Sequence, residues 1–434
     1  METEVFARRR ADFLSRLSEK EAAILAAAPP RPRNRDVEFP YRQDSDFYYL
    51  TGFSEPGSVA VFLPGRKQGQ YVLFCHEYDP HKAIWEGYHA GLRGAKEHYG
   101  AEEAYSIEEV DKIMPNLLAG RERLHCSLGK DPLLDQKLLA WVGAVKRQAR
   151  AGVKSPREFI DLEQTLHEMR LIKSPEEIAV IRRAAEISAQ AHIHAMQMCR
   201  PGLYEYQIEA EIVHQFMQLG ARSPAYPCIV ASGENACVLH YTHNSKQLKA
   251  GELLLIDAGA EYDYYAADVT RTFPVNGRFT SLQRAVYELV LEAQLAAIDK
   301  VRPGNHWNEP HEAAVRVLVK GMIKLGLLEG APSRLIKKEA YKSFYMHRTG
   351  HWLGMDVHDV GAYKVNDEWR ELRPGMVLTV EPGLYIGQQC KEVAKKWRGI
   401  GVRIEDDVLV TEEGCEVLTC AVPKTVEEAV SYTH

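Results

Sequence analysis

Apolar and polar positions along the chain recur in two rhythms, and these divide it into elements. From residue 175 the period is helical: Ile178, Ile181, Ala185, Ser188 and His192 fall on one stripe. The stripe opens behind Ser174-Pro175-Glu176-Glu177. Ser174 suits the N-cap, Pro175 the first helical position and Glu177 the return half of a capping box. The pattern predicts helices over 175–198, 205–219, 281–300 and 309–325. Alternating or continuous apolar runs predict strands over 226–231, 238–241, 253–258, 265–273, 376–381 and 401–411. A helix pair followed by strands thus occurs twice, as in an internal repeat. Before residue 170, strand-like runs at 58–63, 70–74 and 124–128 alternate with helical patterns near 108–118 and 132–148. That half reads as a small α/β domain, so the fold class is α/β (α+β) with domains at 1–172 and 173–434.

The densest apolar run, Leu253-Leu254-Leu255-Ile256-Asp257-Ala258-Gly259, precedes Ala267-Asp268-Val269-Thr270-Arg271, and 260–266 reads as a hairpin between them. A turn centred between Tyr262 and Asp263 sets Asp257 opposite Asp268. Opposed residues have Cβ atoms about 4.5–5.5 Å apart, and like charges there are destabilising. The pair calls for a cation between the carboxylates, unless one Asp is merely an exposed loop residue. Further on come Met346-His347-Arg348-Thr349-Gly350-His351-Trp352-Leu353-Gly354, Thr379-Val380-Glu381-Pro382-Gly383 and Gly401-Val402-Arg403-Ile404-Glu405-Asp406. Alternation puts Thr379 with Glu381 on one strand face, and Arg403 with Glu405 on another. Four carboxylates and one imidazole suit two divalent ions, and mostly oxygen donors favour hard ions such as Mn²⁺ over a Cys/His zinc centre.

Charge and composition narrow the function. The chain has 434 residues, enough for two or three domains, and its net charge of −6 without a basic block gives no support for nucleic-acid binding. No run approaches the roughly 18 apolar residues of a membrane span. Arg8-Arg9-Arg10 is followed by an amphipathic pattern (Phe13, Leu14, Leu17), which makes a surface helix rather than an export signal. The eight cysteines form no Cys-x-x-Cys and read as reduced thiols in a cytoplasm, with Cys390 the candidate for exposure.

Taken together, the ordered ligand motifs resemble the pita-bread metallopeptidases, and most closely the Xaa-Pro aminopeptidases (aminopeptidase P), with prolidase a near neighbour. The resemblance covers nearly the whole chain. It includes an N-terminal domain similar at Arg42-Gln43, Ser45-Asp46-Phe47 and Leu50-Thr51-Gly52-Phe53. It implies a pita-bread catalytic domain holding two divalent ions, most simply Mn²⁺, that releases the first residue from peptides with proline second. The attacking group would be a hydroxide bridging the metals. Asp268 and Glu405 would bridge the ions, Asp257 completing one, His351 and Glu381 the other. Glu381 would also serve as general base and proton shuttle. His358 and His240 would stabilise the oxyanion and the substrate carbonyl, and His347 would shape the proline pocket. Arg403 and Tyr226 would orient Asp257, and Tyr385 would wall the pocket or else sit in the core. Trp85, in Ile84-Trp85-Glu86-Gly87, matches a position that reaches over a neighbouring site, against a core or interface aromatic as the plain alternative. A homodimer or homotetramer is implied. His192, His194 and His243 match no role. The ligand set alone leaves prolidase open as the alternative. Methionine aminopeptidase usually lacks so long an N-terminal domain. Metal-free creatinase-like enzymes and non-enzymatic binding relatives would be expected to have lost ligands that are all present here.

Overall fold

In the computed structural model, residues 1–433 are described, and the chain separates into two compact units, Met1–His167 and Glu168–His434. The first unit is built on a six-stranded mixed sheet. Its order is Glu103–Ser106, Tyr71–Cys75, Val59–Phe62, Glu21–Ala26, Arg123–Cys126, Glu158–Asp161. Val59–Phe62 is antiparallel to both its neighbours and the remaining pairs are parallel. The helix Pro132–Lys146 starts at Asp131, whose carboxylate accepts from two backbone N–H groups, and buries Leu138, Trp141, Val142 and Val145. That i, i+3, i+4, i+7 stripe packs on Val61, Val72, Phe74 and Leu124 in one apolar core. The helix Thr3–Ser15 is less superficial than its pattern suggested: it buries Val5, Phe6 and Phe13 and also Arg9 and Arg10. Both guanidiniums donate to backbone carbonyls, of Tyr49 and Leu50, so the two charges are satisfied without reaching solvent.

The second unit repeats one plan. Helices Pro175–Met198 and Glu205–Gln218 precede an antiparallel sheet of Ile229–Ser232, Leu253–Asp257 and Thr270–Pro274. Helices Ser281–Ile298 and Asn308–Lys324 precede another, of Val377–Val380, Asp406–Val410 and Cys415–Val417. Complete capping boxes open the first helix of each pair, Ser174 with Glu177 and Thr280 with Gln283. Each half has its own apolar core, one around Ile187, Ile212, Phe216, Leu254 and Phe273, the other around Val290, Leu318, Trp352, Leu378 and Val408.

Four expectations fail locally. The hairpin turns at Asp263 and Tyr264, both at positive φ (46° and 69°), so Tyr262 pairs with Tyr265 and Asp257 pairs with Thr270, not Asp268. The register is therefore displaced by two residues, and a two-residue shift leaves every side chain on its original face. Segment 238–241 is no strand but a turn, and His240 is exposed there rather than buried. The predicted 401–411 strand is two, Ile400–Arg403 and Asp406–Val410, with Glu405 in the break. Cys390 is buried, whereas Cys420 is the exposed thiol.

Candidate metal centre

Strand ends and two close backbone contacts bring the candidate residues to one cavity of about 500 Å³ in the second unit. Asp257 is the last residue of Leu253–Asp257. Beyond it the chain passes Gly259, where a Cβ would stand 1.7 Å from the carbonyl oxygen of Ala267, so only glycine lets the two arms approach there. That approach delivers Asp268, just before the strand Thr270–Pro274. Gly350 does the same for His351: a Cβ would lie 2.0 Å from the carbonyl oxygen of Thr379. The 349–353 backbone instead lies along the strand Val377–Val380, through N–H···O bonds from Thr379 to His351 and from Glu381 to Thr349 (2.9 and 2.8 Å). Glu381 follows the end of that strand. Glu405 is tied across to the first half by its N–H, which donates to the Thr270 carbonyl at 3.1 Å.

Asp268, His351 and Glu405 each offer a ligand atom, and these atoms lie within 4.8 Å of one another. His351 Nε2 lies 3.3 Å from Asp268 Oδ2 and 3.6 Å from Glu381 Oε1. Its Nδ1 is 2.9 Å from the Trp352 carbonyl, an acceptor only, so Nδ1 carries a proton and Nε2 is the atom turned to the carboxylates. Asp257 joins through Tyr226, whose hydroxyl stands 2.7 Å from Asp257 and 2.5 Å from Asp268. One phenolic proton cannot satisfy both acceptors. Arg403, buried, donates to Asp257 at 2.5 Å, to the Thr270 hydroxyl at 3.1 Å and to the Tyr385 hydroxyl at 3.2 Å.

The electrostatics are those of too much negative charge in too little water. Burial raises Asp257, and Arg403 counters it only in part. Burial likewise lifts Glu381 to about 7 despite His351, with Asp268 adding to the rise. Glu405 is raised well above the carboxylate range by burial and then by Asp268, Glu381 and Asp257. For His351, burial alone would lower the imidazole, but Asp268 and Glu381 outweigh it and carry it up to about 9. The neighbouring carboxylates thus favour a positive charge on the His351 ring. Oxygen donors with one imidazole and no thiol fit hard divalent ions.

The three other histidines also line the cavity. The His358 ring meets that of His351 edge-on, centroids 4.2 Å apart, and burial followed by His351 lowers its pKa. His347 is lowered to about 4 by burial and then by Arg403, so it is neutral. Its Nδ1 lies 2.7 Å from the Arg348 carbonyl and so holds the proton, leaving Nε2 to accept from the Tyr385 hydroxyl at 2.8 Å. Tyr385 is buried behind His347, outside the cavity lining, in the core position that is the alternative to a pocket wall. Trp85, in the first unit, is 87% exposed on the helix Pro80–Glu86, which buries none of its residues; it is not a core aromatic.

Two residues of the site went unassigned from sequence. The Thr270 hydroxyl accepts from Arg403 and donates to Glu405 at 2.6 Å. The fully buried Asp407 carboxylate accepts from the Asp268 backbone N–H, at 3.2 and 3.1 Å to its two oxygens. The signal was present in three consecutive acids, Glu405-Asp406-Asp407, bounded by Ile404 and Val408: a segment with such apolar flanks cannot turn all three to water.

Against known proteins, residues 179–412 match the profile of Metallopeptidase family M24, and residues 6–125 match that of the Aminopeptidase P N-terminal domain. The chain is 46% identical over 424 residues to the Xaa-Pro aminopeptidase of Escherichia coli, spanning 98% of this chain and 96% of that one. The chain belongs to metallopeptidase family M24. Human Xaa-Pro aminopeptidase 3 is 33% identical, over 94% of this M24 chain and 80% of its own. Among solved structures, Pseudomonas aeruginosa aminopeptidase PepP superposes with a TM-score of 0.98 at 56% identity, covering 100% of this chain and 98% of that one. A zinc-substituted E. coli aminopeptidase P in complex with product gives 0.96 at 44%, covering 100% and 98%. The pita-bread fold and the metallopeptidase class expected from the motifs hold for this M24 chain.

Proposed function

We propose that this M24 chain is an Xaa-Pro aminopeptidase that releases the N-terminal residue from peptides with proline in second position. The observation that carries the reading is the convergence of Asp268, His351 and Glu405 ligand atoms within 4.8 Å, in a cavity that Asp257 and Glu381 also line. Asp268 and Glu405 would hold both ions, Asp257 one of them and His351 with Glu381 the other. When bound, such ions activate water and polarise the scissile carbonyl as Lewis acids.

The chain's own residues do the rest. Glu381, at the cavity wall, would take a proton from the attacking water and return it to the leaving nitrogen. His358 and His240, at the cavity wall, would donate to the developing oxyanion and to the substrate carbonyl. His347, held by Tyr385, would face the proline ring. An Xaa-Pro bond has no N–H, so recognition has to rest on the ring's shape and on the free amine, which the carboxylates attract. Tyr226 and Arg403 hold Asp257 in place. Manganese is the proposed ion because the donors are mostly hard oxygens. A cytoplasmic homodimer or homotetramer is also proposed, with the exposed Trp85 of one copy reaching over a neighbouring site. The domains proposed are 1–172 and 173–434, a boundary a few residues beyond the division between the compact units Met1–His167 and Glu168–His434.

Prolidase is not favoured, since the relatives matched along nearly the whole chain are Xaa-Pro aminopeptidases. The deciding experiment compares an Xaa-Pro-Yaa tripeptide with an Xaa-Pro dipeptide in Mn²⁺, with products identified. Faster release of the first residue from the tripeptide is expected. Cleavage of the dipeptide alone would return the assignment to prolidase.

A further inference from the structure

The loop that carries His240 has no strand of its own, yet its backbone is closely tied. The ties converge on Glu205, at the first turn of the helix Glu205–Gln218 and fully buried. Glu205 Oε1 accepts from the Ser232 N–H and hydroxyl, both at 2.7 Å, and from Asn235 Nδ2 at 3.1 Å. Its Oε2 accepts from the Tyr241 hydroxyl and the Lys246 N–H, both at 2.8 Å. The Glu205 N–H donates in turn to the Lys246 carbonyl at 3.0 Å. One carboxylate therefore holds the start of the loop, its end, and the residue next to His240. A buried charge needs such donors, and five are supplied by residues 27 to 41 positions away in sequence. Asn244, at a positive φ of 46°, adds a second anchor by accepting from Val230 N–H and donating to the Cys228 carbonyl, both at 2.9 Å.

We infer that Glu205 is a positioning residue for the reaction: through Tyr241 it sets where His240 meets the substrate carbonyl. The hydrogen bonds of Glu205 go to none of Asp257, Asp268, His351, Glu381 and Glu405, so the effect expected is on the histidine and not on metal retention. The inference rests on the proposed role of His240.

The test is a double-mutant cycle on the full-length, Mn²⁺-loaded enzyme. Tyr241→Phe removes one hydroxyl from a partly exposed ring, and about a tenfold fall in kcat/KM, carried by kcat, is expected. Glu205→Gln sets an N–H₂ against the Lys246 N–H, and about a hundredfold fall is expected. In a His240→Ala background the Tyr241→Phe loss should vanish, and Mn²⁺ affinity by equilibrium dialysis should be unchanged throughout. A Tyr241→Phe loss of the same size in both backgrounds, or a drop in Mn²⁺ affinity with that variant, would overturn the inference. If Glu205→Gln fails to fold, the Tyr241→Phe cycle still decides. Full activity in His240→Ala would overturn the role of His240 itself, a separate failure.

Discussion

Glu405 and Asp406 are neighbours in sequence, both buried, and they have opposite fates. Asp406 accepts from Arg271 at 2.7 Å, Lys424 at 2.6 Å, Gln294 at 2.6 Å and the Thr419 hydroxyl at 2.7 Å. Burial pushes it up, but Arg271 and Lys424 outweigh that and hold it at about 2. Asp359, between Lys173 at 2.9 Å and Arg170 at 2.6 Å, is another carboxylate matched by cations of the chain. Glu405 lies instead among Asp268, Glu381 and Asp257, with one guanidinium and one imidazole for four acids. Burial is common to both regions and so does not distinguish structure from function. What meets the charge does. A buried carboxylate matched by the chain's own cations, or filled like Glu205 by five hydrogen-bond donors, is architecture. One crowded by other acids with too few cations marks a site for a ligand that brings the missing charge.

Substitutions on the two sides of this comparison should separate cleanly. The largest effect is expected for Glu381→Gln, a fall in kcat/KM of about 10²–10⁴-fold, with no loss of Tm in metal-free enzyme because one crowded charge is gone. Turnover near wild type would end its assignment as base. Asp406→Asn should do the reverse. Stranding Arg271 and Lys424 would destabilise the fold by about 3–5 kcal/mol, read by urea unfolding; unchanged stability would show that Asp406 is not structural. Next in size, Mn²⁺ at a hundred times its Kd should stabilise the wild type by about 2.7 kcal/mol. Asp268→Ala should abolish that shift, and a shift that persisted would move the metal elsewhere. Arg403→Lys keeps the charge and loses the fork that holds Asp257, Thr270 and Tyr385, so metal affinity should fall about 10–100-fold. Competition with a fluorescent chelator would measure it.

The smallest effect is acid sensitivity. Burial raises Asp359, but Lys173 and Arg170 outweigh it and keep the carboxyl below its ordinary value. With a depressed folded pKa, the stabilisation is complete above the unfolded value and is lost as pH falls through the folded one. Wild-type Tm should therefore drop below roughly pH 4. Asp359→Asn should start lower and show a shallower drop, and an identical slope would discount the cluster.

Much of this was legible in sequence because the governing interactions are short-range. The capping boxes at Ser174 and Thr280 each span four residues, and both helices begin where those residues place them. Asp257, Asp268, His351, Glu381 and Glu405 each sit at a strand end or a glycine-bounded bend, and all five line one cavity. Even the misplaced hairpin turn did no harm to the site, since a register error of two preserves the face. What tertiary structure alone decided depends on partners far away along the chain. Segment 238–241 has strand-forming residues, but Glu205 gathers it into a loop from more than thirty positions away. Thr270 and Asp407 gain their roles from Arg403, Glu405 and Asp268, across 133 to 139 residues of chain. Whether an acid is matched, like Asp406, or left in surplus, like Glu405, depends on which cations the folded backbone brings within reach. Local pattern determines which residues can carry a charge into the interior, and only packing determines what meets it there.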